Sequence, residues 1–402
     1  MRIVIQKFGG TSVATDDARV CAAKKVSSAR DAGYAPVVVV SAMGRIGAPY
    51  ATDTLIQLVK TCDPNVSKRE LDQMMYCGEI ISAVMMAATL SAMGVPSVTL
   101  TGGQAGIITD EHFSNARIVK VQTASLQSLL KEGVVPVVCG FQGVTADGAH
   151  TTLGRGGSDT TAAALGNALD AEKIEIYTDV AGIMTADPKL VSEARLLDVT
   201  TYQEVCQMAE QGAKVIHPRA VEIAMQKNIP LVIRSTFSDE PGTLITSQNA
   251  EIETNIGDQT VTSVAYVAQL AQIKLVAEDK PLTAAHIFRR LGEGGISADM
   301  INICAEQILF TVSDAYAEKT VKLLCTFPCR LYVEADCAKV TIVGGGMRGV
   351  PGVMANFMEA LQEESVEVLQ TVDSHTTISA LIKTADLAKA VTVLHKKFRL
   401  SL

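Results

Sequence analysis

Four consecutive valines occupy residues 37–40, and no polar residue alternates with them. This pattern is typical of a β-strand that is covered by helices on both faces. Strands are predicted over residues 3–8, 37–41, 97–101, 134–139, 174–178 and 231–234, and helices over residues 16–32, 71–93 and 158–169. The alternation predicts an α/β sandwich around a mostly parallel sheet, in which ligands bind at the carboxyl ends of the strands.

The second part of the chain contains an internal repeat. Residues 236–262 are rich in Ser, Thr, Asp, Glu, Gly and Asn and lose periodicity, so we place a domain boundary there. Beyond it, a shift of 70 residues aligns apolar positions without a gap, for example Ile273 with Val343 and Ile308 with Ile378. The repeat predicts two ferredoxin-like βαββαβ units, and hence three domains at residues 1–245, 264–334 and 335–402.

Charge and composition argue against several classes of protein. A formal net charge of −8 disfavours a general nucleic-acid binder, and 4% aromatic residues without Trp disfavour base-stacking platforms. No run reaches about 18 uninterrupted apolar residues, and the N-terminus resembles a strand more than a signal peptide. Nine cysteines without a Cys-x-x-Cys pair suit reduced thiols. We therefore expect a cytoplasmic protein with no membrane partner.

A first candidate site follows the first predicted strand, in the sequence Lys7-Phe8-Gly9-Gly10-Thr11-Ser12-Val13. The two glycines let backbone N–H groups approach an anion, and Lys7 adds a full positive charge. The helix that follows is expected to add the positive end of its dipole. The same residues are also compatible with a tight strand–helix turn that binds nothing.

A second glycine-rich cluster, Leu153-Gly154-Arg155-Gly156-Gly157-Ser158-Asp159-Thr160-Thr161, connects a strand-like region to an Ala-rich helix. Its glycines can form a nest of N–H groups, and Arg155 can clamp a carboxylate or phosphate through two parallel hydrogen bonds. Ser158 and Asp159 are predicted to cap the helix. A capped helix start without a ligand is the alternative, but capping requires neither Arg155 nor three glycines.

Two further segments carry polar groups near the predicted carboxyl ends of strands, where ligands bind in parallel sheets. The first spans residues 177–189, and the second spans residues 211–220. We interpret His217, in the second segment, as a hydrogen-bonded structural residue and not as a metal ligand. The six histidines lack ligand spacing, so no zinc site is predicted. The sequence also lacks Gly-x4-Gly-Lys-[Ser/Thr], which excludes a P-loop enzyme.

Together these segments resemble the aspartate kinase (aspartokinase) family. That family opens with Lys-Phe-Gly-Gly-Thr-Ser and carries Gly-Arg-Gly-Gly-Ser-Asp in its middle. It continues with Thr-Asp-Val, Thr-x-Asp-Pro, Gly-Ala-Lys-Val and His-Pro, and this sequence has all of them in order. Residues 39–45 and 77–79 also fit, and the C-terminal repeat resembles the paired ACT domains of the family. Residues 46–51 and 373–378 resemble the diaminopimelate-responsive subtype of spore-forming bacteria.

The resemblance implies an amino acid kinase fold followed by two ACT domains. It also implies an activity, the ATP-dependent phosphorylation of the L-aspartate side-chain carboxylate to 4-phospho-L-aspartate. This reaction would be the first step in the synthesis of threonine, of methionine, and of diaminopimelate and lysine. Diaminopimelate, lysine or threonine would regulate it through the ACT domains, which would also join copies of the chain into a homo-oligomer.

The resemblance further implies roles for individual residues. The expected catalytic residues are Lys7, Arg155 and Asp159, with Asp159 positioning Lys7. Nucleotide contacts are expected from Lys7, Phe8, Gly9, Gly10, Ser41, Thr178, Asp179, Met184, Asp187, Lys189 and Lys214. Aspartate contacts are expected from Thr52, Glu79, Arg155, Gly156, Gly157 and Ser158, and effector contacts from Asp299, Asn302, Ser374 and His375. Met184 stands where many members of the family have Tyr or Phe, and Lys189 stands where many have Arg, so the nucleotide preference stays open. Residues 301–304 depart from the Gln-Asn pattern of many lysine- or threonine-inhibited members, so the effector stays open.

The expected reaction needs no general base, because the attacking carboxylate has an ordinary pKa of about 4 and is ionised at neutral pH. The barrier lies in bringing an anion to a triphosphate, so the site needs cations, N–H donors and Mg²⁺. Phosphate oxygens and water are expected to hold the Mg²⁺, with no protein side chain as ligand. Two alternatives stay open, a non-catalytic amino-acid sensor and a kinase of the same fold that acts on glutamate or carbamate.

Overall fold

The computed structural model describes residues 1–213, 215–247, 260–278, 283–347 and 349–402. Their contacts divide the chain into two compact units. Described residues from 1–183, 196–209 and 215–247 form the first unit, and those from 184–195, 210–213 and 260–402 form the second. The predicted boundary segment at residues 236–262 lies partly outside the described residues.

Among the described residues of the first unit, eight strands form a central sheet. With strands numbered in chain order, they are β1 (Arg2–Phe8), β2 (Tyr34–Val40), β3 (Ser97–Leu100), β6 (Val135–Cys139), β9 (Lys173–Thr178), β10 (Val199–Thr201), β11 (Leu231–Ser235) and β12 (Thr243–Thr246). They lie in the order β10-β12-β11-β9-β1-β2-β6-β3, and each neighbouring pair is parallel except β11 with β12. The predicted strands are all present, and the prediction of a mostly parallel sheet is confirmed.

Helices cover both faces of this sheet. On one face α1 (Asp16–Asp31) packs with α3 (Lys68–Ala92) over Val38 and Val40 of β2. On the other face α5 (Gly157–Ala168) packs on β1 and β9. Successive side chains of a strand point to opposite faces, so β2 buries all four of its valines, which explains the unbroken apolar run. The remaining helices are α2 (Thr52–Cys62), α4 (Ala124–Lys131), α6 (Tyr202–Glu210) and α7 (Pro218–Met225).

A small second sheet, with strand order β5-β4-β7-β8, lies in the same unit. Its strands are β4 (Ile107–Thr109), β5 (Ile118–Val121), β7 (Gln142–Val144) and β8 (His150–Thr152). The sequence analysis did not predict this sheet, because strands of three or four residues are too short to show a period. β8 packs beside α3 and leads into the second glycine-rich cluster.

The long helix α3 is a core helix of the first unit. By length and composition alone it could cross a membrane, with a mean hydropathy of 1.4 over its most apolar window. It nevertheless buries two carboxyl groups, those of Asp72 and Glu79, and its residues Ala83 and Met86 lie in the core beside β2. One helix with this composition and a buried face is weak evidence for a membrane span.

Among the described residues of the second unit, six antiparallel strands form one sheet in the order β14-β15-β13-β16-β18-β17. Its elements are β13 (Ser263–Ala277), α8 (Ala284–Glu293), β14 (Asp299–Ile303), β15 (Gln307–Ser313), α9 (Ala317–Leu324), β16 (Cys329–Val343), α10 (Val353–Glu363), β17 (Gln370–Asp373), β18 (Thr377–Lys383) and α11 (Leu387–Lys397). The order of elements repeats as the 70-residue shift predicts. The predicted fold class is therefore confirmed in both units.

The long strands β13 and β16 join the two repeats. β16 runs without a break through the predicted boundary between residues 334 and 335. Its first half pairs with the C-terminal half of β13 as the last strand of the first repeat. Its second half pairs with β18 and with the N-terminal half of β13, where Ser263 lies opposite Val343. No strand follows α11 within the described residues, and β13 takes that edge of the second repeat.

Residues 184–195 lie within the predicted range of the kinase domain but belong to the second unit. Val191 is buried in the apolar core of the second repeat. The Thr185 hydroxyl oxygen lies 2.9 Å from Nε2 of the buried His395 on α11. The sequence analysis did not predict this packing, because the segment contacts residues more than two hundred positions further along the chain and no local pattern connects them.

Candidate active site

A cavity of about 570 Å³ opens at the carboxyl ends of β1 and β2 in the first unit. The segments that follow these strands line it, together with α2, α3 and the loop before α5. The predicted site residues at its wall are Lys7, Gly10, Ser41, Thr52, Glu79, Arg155, Gly156, Gly157, Ser158 and Asp159. The fold thus brings the two glycine-rich clusters together around one space.

Backbone hydrogen bonds hold the loop after β1 against the loop after β2 and the end of β9. Gly9 N donates to Tyr177 O at 3.1 Å, and Gly44 N donates to Gly10 O at 3.0 Å. A Cβ atom on Gly10 would lie 2.6 Å from Ala42 O and 2.7 Å from Gly44 O. Any side chain at this position would force the loops apart, so the close approach itself requires glycine.

The helix predicted over residues 16–32 begins where it was expected, and a short turn separates it from the glycines. Gly10–Val13 form a single 3₁₀ turn, and α1 begins at Asp16. The Thr15 hydroxyl caps α1 by accepting a hydrogen bond from Ala18 N at 3.2 Å, and the first turn of α1 already carries two acidic residues. The N-terminus of α1 thus lies beyond the glycines and has its own cap, and a contribution of its dipole at the glycines stays a prediction.

Lys7 and Asp159 form an ion pair at the cavity wall. Lys7 Nζ lies 2.7 Å from Asp159 Oδ1, and the two side chains are only 12% and 13% exposed. Lys7 reaches Asp159 because it points to the face of the sheet that α5 covers, and Asp159 lies in the first turn of α5. Shielding from water strengthens their attraction and keeps the ammonium in a defined position.

Arg155 lies in a turn between β8 and α5. Its neighbours Gly154 and Gly156 have φ angles of 74° and 65°, in the left-handed region that favours glycine. Gly156 is the N-cap residue of α5 and no side chain caps this helix, so the prediction of a cap by Ser158 and Asp159 is wrong. Both residues instead lie within the first turn. Arg155 is exposed and makes no hydrogen bond or ion pair with the described residues, so its guanidinium is available to an anion.

Glu79 presents a buried carboxyl group to the cavity from α3. It is 2% exposed, and its Oε1 accepts a hydrogen bond from Ala42 N at 3.2 Å. Its Oε2 is buried without a hydrogen-bond partner among the described residues. Burial raises the pKa of Glu79 to about 8. A buried carboxyl group with a free acceptor atom suits a positively charged ligand group, which would lower that pKa again.

Of the predicted nucleotide contacts, Thr178 and Asp179 lie at the carboxyl end of β9. The Thr178 hydroxyl donates to Asp179 Oδ1 at 3.1 Å, and Arg45 Nη2 lies 2.5 Å from Asp179 Oδ2. Phe8 differs from the expectation, because its side chain is fully buried and stacks on Tyr177 with ring centroids 4.8 Å apart. Only the backbone of Phe8 is therefore available to a ligand.

The other four predicted nucleotide contacts do not lie among the described residues of the first unit. Met184, Asp187 and Lys189 belong to the second unit. There Asp187 accepts hydrogen bonds from Lys189 N at 2.9 Å and from the Tyr266 hydroxyl at 3.0 Å. Lys214 lies outside the described residues. The nucleotide-binding roles of these four residues stay predictions.

The predicted effector contacts lie at two places in the second unit. Asp299 and Asn302 belong to the edge strand β14, and Asp299 forms an ion pair with the buried Lys339 of β16. Ser374 and His375 are exposed between β17 and β18. β14 and β17 contact each other although they lie at opposite ends of the strand order. Ser374 and His375 thus directly follow a strand that contacts the strand of Asp299 and Asn302, and the effector role of all four residues stays a prediction.

Some residues of the site were not predicted from the sequence. Arg45, Asp53 and Lys60 also line the cavity. Single charged residues of this kind have no spacing or glycine context that distinguishes them from ordinary surface residues. His217 has the structural role expected for it, since it caps α7 and its Nδ1 accepts from Arg219 N at 3.3 Å.

Comparison with known proteins agrees with this geometry. The amino acid kinase family matches residues 2–235, and the ACT domain family matches residues 332–396. The chain is thus an amino acid kinase with an ACT domain in its C-terminal part.

Full-length relatives identify the family more closely. Aspartokinase 1 of Bacillus subtilis is 45% identical over 403 residues, which cover 100% of both chains. The structure of E. coli aspartokinase III in complex with aspartate and ADP (R-state) matches with a TM-score of 0.79 and 26% identity, over 98% of this chain and 99% of that one. The same enzyme in complex with lysine and aspartate (T-state) matches with a TM-score of 0.77 and 25% identity over the same shares. The chain therefore belongs to the aspartokinase family and is an ATP-dependent kinase of amino-acid biosynthesis.

Proposed function

We propose that the cavity of the first unit binds L-aspartate and the terminal phosphates of ATP side by side. Arg155 binds the α-carboxylate of aspartate, Glu79 binds its ammonium group, and Thr52 orients the side-chain carboxylate. Lys7 contacts the phosphoryl group that is transferred. The observation that carries the proposal is that Lys7, Glu79 and Arg155, each suited to one charged group of the reactants, line the same cavity.

The transfer itself requires positioning and charge stabilisation. An oxygen of the aspartate side-chain carboxylate attacks the γ-phosphorus, and the bond from this phosphorus to the bridging oxygen of ADP breaks. The carboxylate is ionised at neutral pH, so no side chain has to remove a proton. Lys7, held by Asp159 at 2.7 Å, compensates the negative charge on the transferring group.

The phosphates lie along the loop after β1, where Gly9 and Gly10 allow the closest approach of the backbone. Ser41 lies at the carboxyl end of β2, and Thr178 and Asp179 lie at the carboxyl end of β9, the two strands that flank β1; all three contact the remainder of the nucleotide. Met184, Asp187, Lys189 and Lys214 are proposed nucleotide contacts on the strength of the family motif alone.

Mg²⁺ accompanies the nucleotide in this proposal. Among the described residues, no group of three His, Cys, Asp or Glu side chains is placed to hold a metal ion. Asp159 is engaged by Lys7 and Asp179 by Arg45, and the other carboxylates of the cavity wall, Asp53 and Glu79, belong to no such group. The residues present therefore fit an ion that is carried by phosphate oxygens and water, and no step depends on a metal cage in the protein.

Replacement of Arg155 tests the binding of aspartate. We expect Arg155→Ala to raise the KM for aspartate by about 10- to 100-fold, because the variant loses the charge-assisted hydrogen bonds to the α-carboxylate. The KM for ATP should change less. Arg30→Ala, in the last turn of α1 and outside the cavity lining, is the matched control and should change neither constant. An unchanged KM for aspartate in Arg155→Ala would refute the assignment.

The second unit is proposed to regulate the enzyme and to join copies of the chain into a homo-oligomer. Asp299, Asn302, Ser374 and His375 are the proposed contacts for an amino-acid effector, which is diaminopimelate, lysine or threonine. The lysine-bound state of E. coli aspartokinase III supports an effector of this class. Activity measured at low aspartate with each of the three amino acids, singly and in pairs, tests the proposal, and insensitivity to all of them would leave only a role in assembly.

The enzyme is proposed to work in the cytoplasm, where it would feed the synthesis of diaminopimelate and lysine, threonine and methionine. None of the nine cysteines, each of them among the described residues, forms a disulfide, as expected in a reducing compartment. Fractionation of cells that produce the chain tests the location. Recovery of the activity outside the cytoplasmic fraction would contradict it.

A further inference from the structure

Asp72 lies behind the cavity with a fully buried carboxyl group that the proposed chemistry does not use. Its Oδ2 accepts hydrogen bonds from the backbone N–H groups of Ser114 and Thr152, each at 2.9 Å. Its Oδ1 accepts hydrogen bonds from the hydroxyls of the same two residues, at 3.0 Å from Ser114 and 2.8 Å from Thr152. Among the described residues no cation pairs with Asp72, so these four hydrogen bonds compensate the burial of its carboxyl group.

The four hydrogen bonds join segments that carry different residues of the cavity. Asp72 and Glu79 lie on α3 about two turns apart and on the same face of the helix. Thr152 ends β8 and stands just before the turn that contains Arg155. Ser114 itself lines the cavity. Asp72 is therefore the common partner of the helix that presents Glu79 and the loop that presents Arg155.

The segment that contains Ser114 supports the Arg155 loop directly. A Cβ atom on Gly154 would lie 2.7 Å from Asn115 Oδ1 and 3.3 Å from Ser114 O. The left-handed turn before Arg155 is thus packed against the residues that Asp72 holds. A movement of Ser114 would be passed to Arg155 through this contact.

Arg219 of α7 holds the same loop from another element. It donates hydrogen bonds to Leu153 O at 3.3 Å and to Ala116 O at 3.4 Å. These contacts fix the loop to α7 and do not involve α3. Among the described residues, Asp72 is the side chain that hydrogen-bonds from α3 to the end of β8 through both oxygens of its carboxyl group.

We propose that Asp72 is a positioning residue that sets the distance between the Glu79 carboxylate and the Arg155 guanidinium. These two groups bind the ammonium and the α-carboxylate on the same carbon atom of aspartate, so their separation must match the substrate closely. The inference rests on the roles proposed above for Glu79 and Arg155. It predicts that Asp72 governs the binding of aspartate and has little influence on the binding of ATP.

Asparagine is the sharpest substitution at this position. It has the size of aspartate, but its NH₂ group only donates, and it would face the N–H or hydroxyl donors of Ser114 and Thr152. Asp72→Asn therefore replaces one of the two acceptor oxygens by a donor, with almost no change in volume. Thr152→Val is a milder variant, because it keeps the backbone hydrogen bond to Asp72 and removes only the hydroxyl.

The test compares steady-state constants of Asp72→Asn, Thr152→Val and Tyr202→Phe in the full-length enzyme. Tyr202→Phe is the matched control, since it removes a buried hydrogen bond to Ile229 O that lies away from the cavity. We expect Asp72→Asn to raise the KM for aspartate by at least about tenfold, as a displaced binding group does, with the KM for ATP within about twofold. Thr152→Val should raise the KM for aspartate by a smaller factor, and Tyr202→Phe should change neither constant.

Combination with Arg155→Ala separates this inference from the proposed function. If Asp72 acts through Arg155, the Asp72→Asn substitution should raise the KM for aspartate less in an Arg155→Ala background than in the wild type. A normal KM for aspartate in Asp72→Asn, while Arg155→Ala raises it, would overturn the positioning role alone. A normal KM in Arg155→Ala would overturn the proposed function itself. If Asp72→Asn does not fold, an unchanged KM in Thr152→Val overturns the inference.

Discussion

Lys7 Nζ lies 2.7 Å from Asp159 Oδ1, with both side chains almost wholly shielded from water. The contact joins the end of β1 to the first turn of α5 and so connects the two glycine-rich clusters. The chain contains a similar pair on its surface, Lys227 with Asp170 at 2.5 Å, whose side chains are 48% and 77% exposed. Because water screens exposed pairs far more than shielded ones, the two pairs should respond very differently to the same substitution.

Asp159→Asn removes the charge that holds Lys7 while it keeps the size of the side chain. We expect kcat to fall by about 10²-fold, since the ammonium no longer has a defined position beside the transferring phosphoryl group. Asp170→Asn should leave kcat unchanged. Initial rates at saturating ATP and aspartate measure both effects, and equal losses in the two variants would show that the shielded pair has no special role.

The affinity for aspartate should depend on pH through Glu79. Its pKa is raised to about 8, so below that pH the carboxyl group must lose a proton before it can bind the ammonium of the substrate. The KM for aspartate should therefore fall by about tenfold for each unit of pH as the pH rises toward 8, and then level off. Glu79→Gln should bind aspartate weakly with no such slope. A wild-type KM that is constant between about pH 6 and about pH 8, just below the raised pKa of Glu79, would contradict the assignment.

Gly10→Ala tests the contact between the loops after β1 and β2. The added Cβ would lie 2.6 Å from Ala42 O and 2.7 Å from Gly44 O, both of them backbone atoms. We expect a loss of about 1–3 kcal/mol in stability, as in other cases of overpacking, together with a large loss of kcat. Gly33→Ala is a useful comparison, because its Cβ would meet no atom within 4 Å and only its positive φ opposes the change. Urea unfolding and initial rates give the two readouts, and full activity of Gly10→Ala would contradict the proposed approach of the phosphates.

The second unit should lose stability in mild acid because of His395. Burial lowers the pKa of this imidazole, whose Nε2 lies 2.9 Å from the Thr185 hydroxyl oxygen. The unfolded chain takes up a proton around the ordinary pKa of 6.5 and the folded chain does so only at lower pH, so stability falls as the pH drops below 6.5. His395→Gln should weaken this dependence, whereas His286→Gln, at an exposed position on α8, should not. Thermal unfolding between about pH 5.5 and about pH 7.5, roughly one unit on each side of the ordinary pKa, measures this dependence. An identical change of melting temperature with pH in all three proteins would disprove the effect.

The residues that carry chemistry could be recognised from the sequence where residue type and glycine context coincide. Lys7 lies at the end of an apolar strand shortly before two glycines, and Arg155 stands between two glycines, so both suggested an anion site, although a tight turn stayed an alternative for the first cluster. The parallel sheet could be predicted because the valines of β2 are buried on both faces.

Other features depend on contacts that no local pattern reveals. Asp72 is an ordinary acidic residue near the start of a helix until the fold brings Ser114 and Thr152 to its two oxygens. The sharing of β13 between the two repeats depends on strand register and not on composition. The capping of α5 by Gly156 was missed because Ser and Asp are the usual capping residues and both follow it directly.

The central claim is that Lys7 and Arg155 hold two negatively charged reactants against each other in one cavity. Single-turnover phosphoryl transfer by Lys7→Ala, with ATP and aspartate both saturating, tests it most directly, with Lys131→Ala on α4 as the control. We expect the transfer rate of Lys7→Ala to fall by about 10²- to 10³-fold while ATP still binds, because a charge that stabilises the transition state is lost. A transfer rate within a few-fold of the wild type would contradict the account.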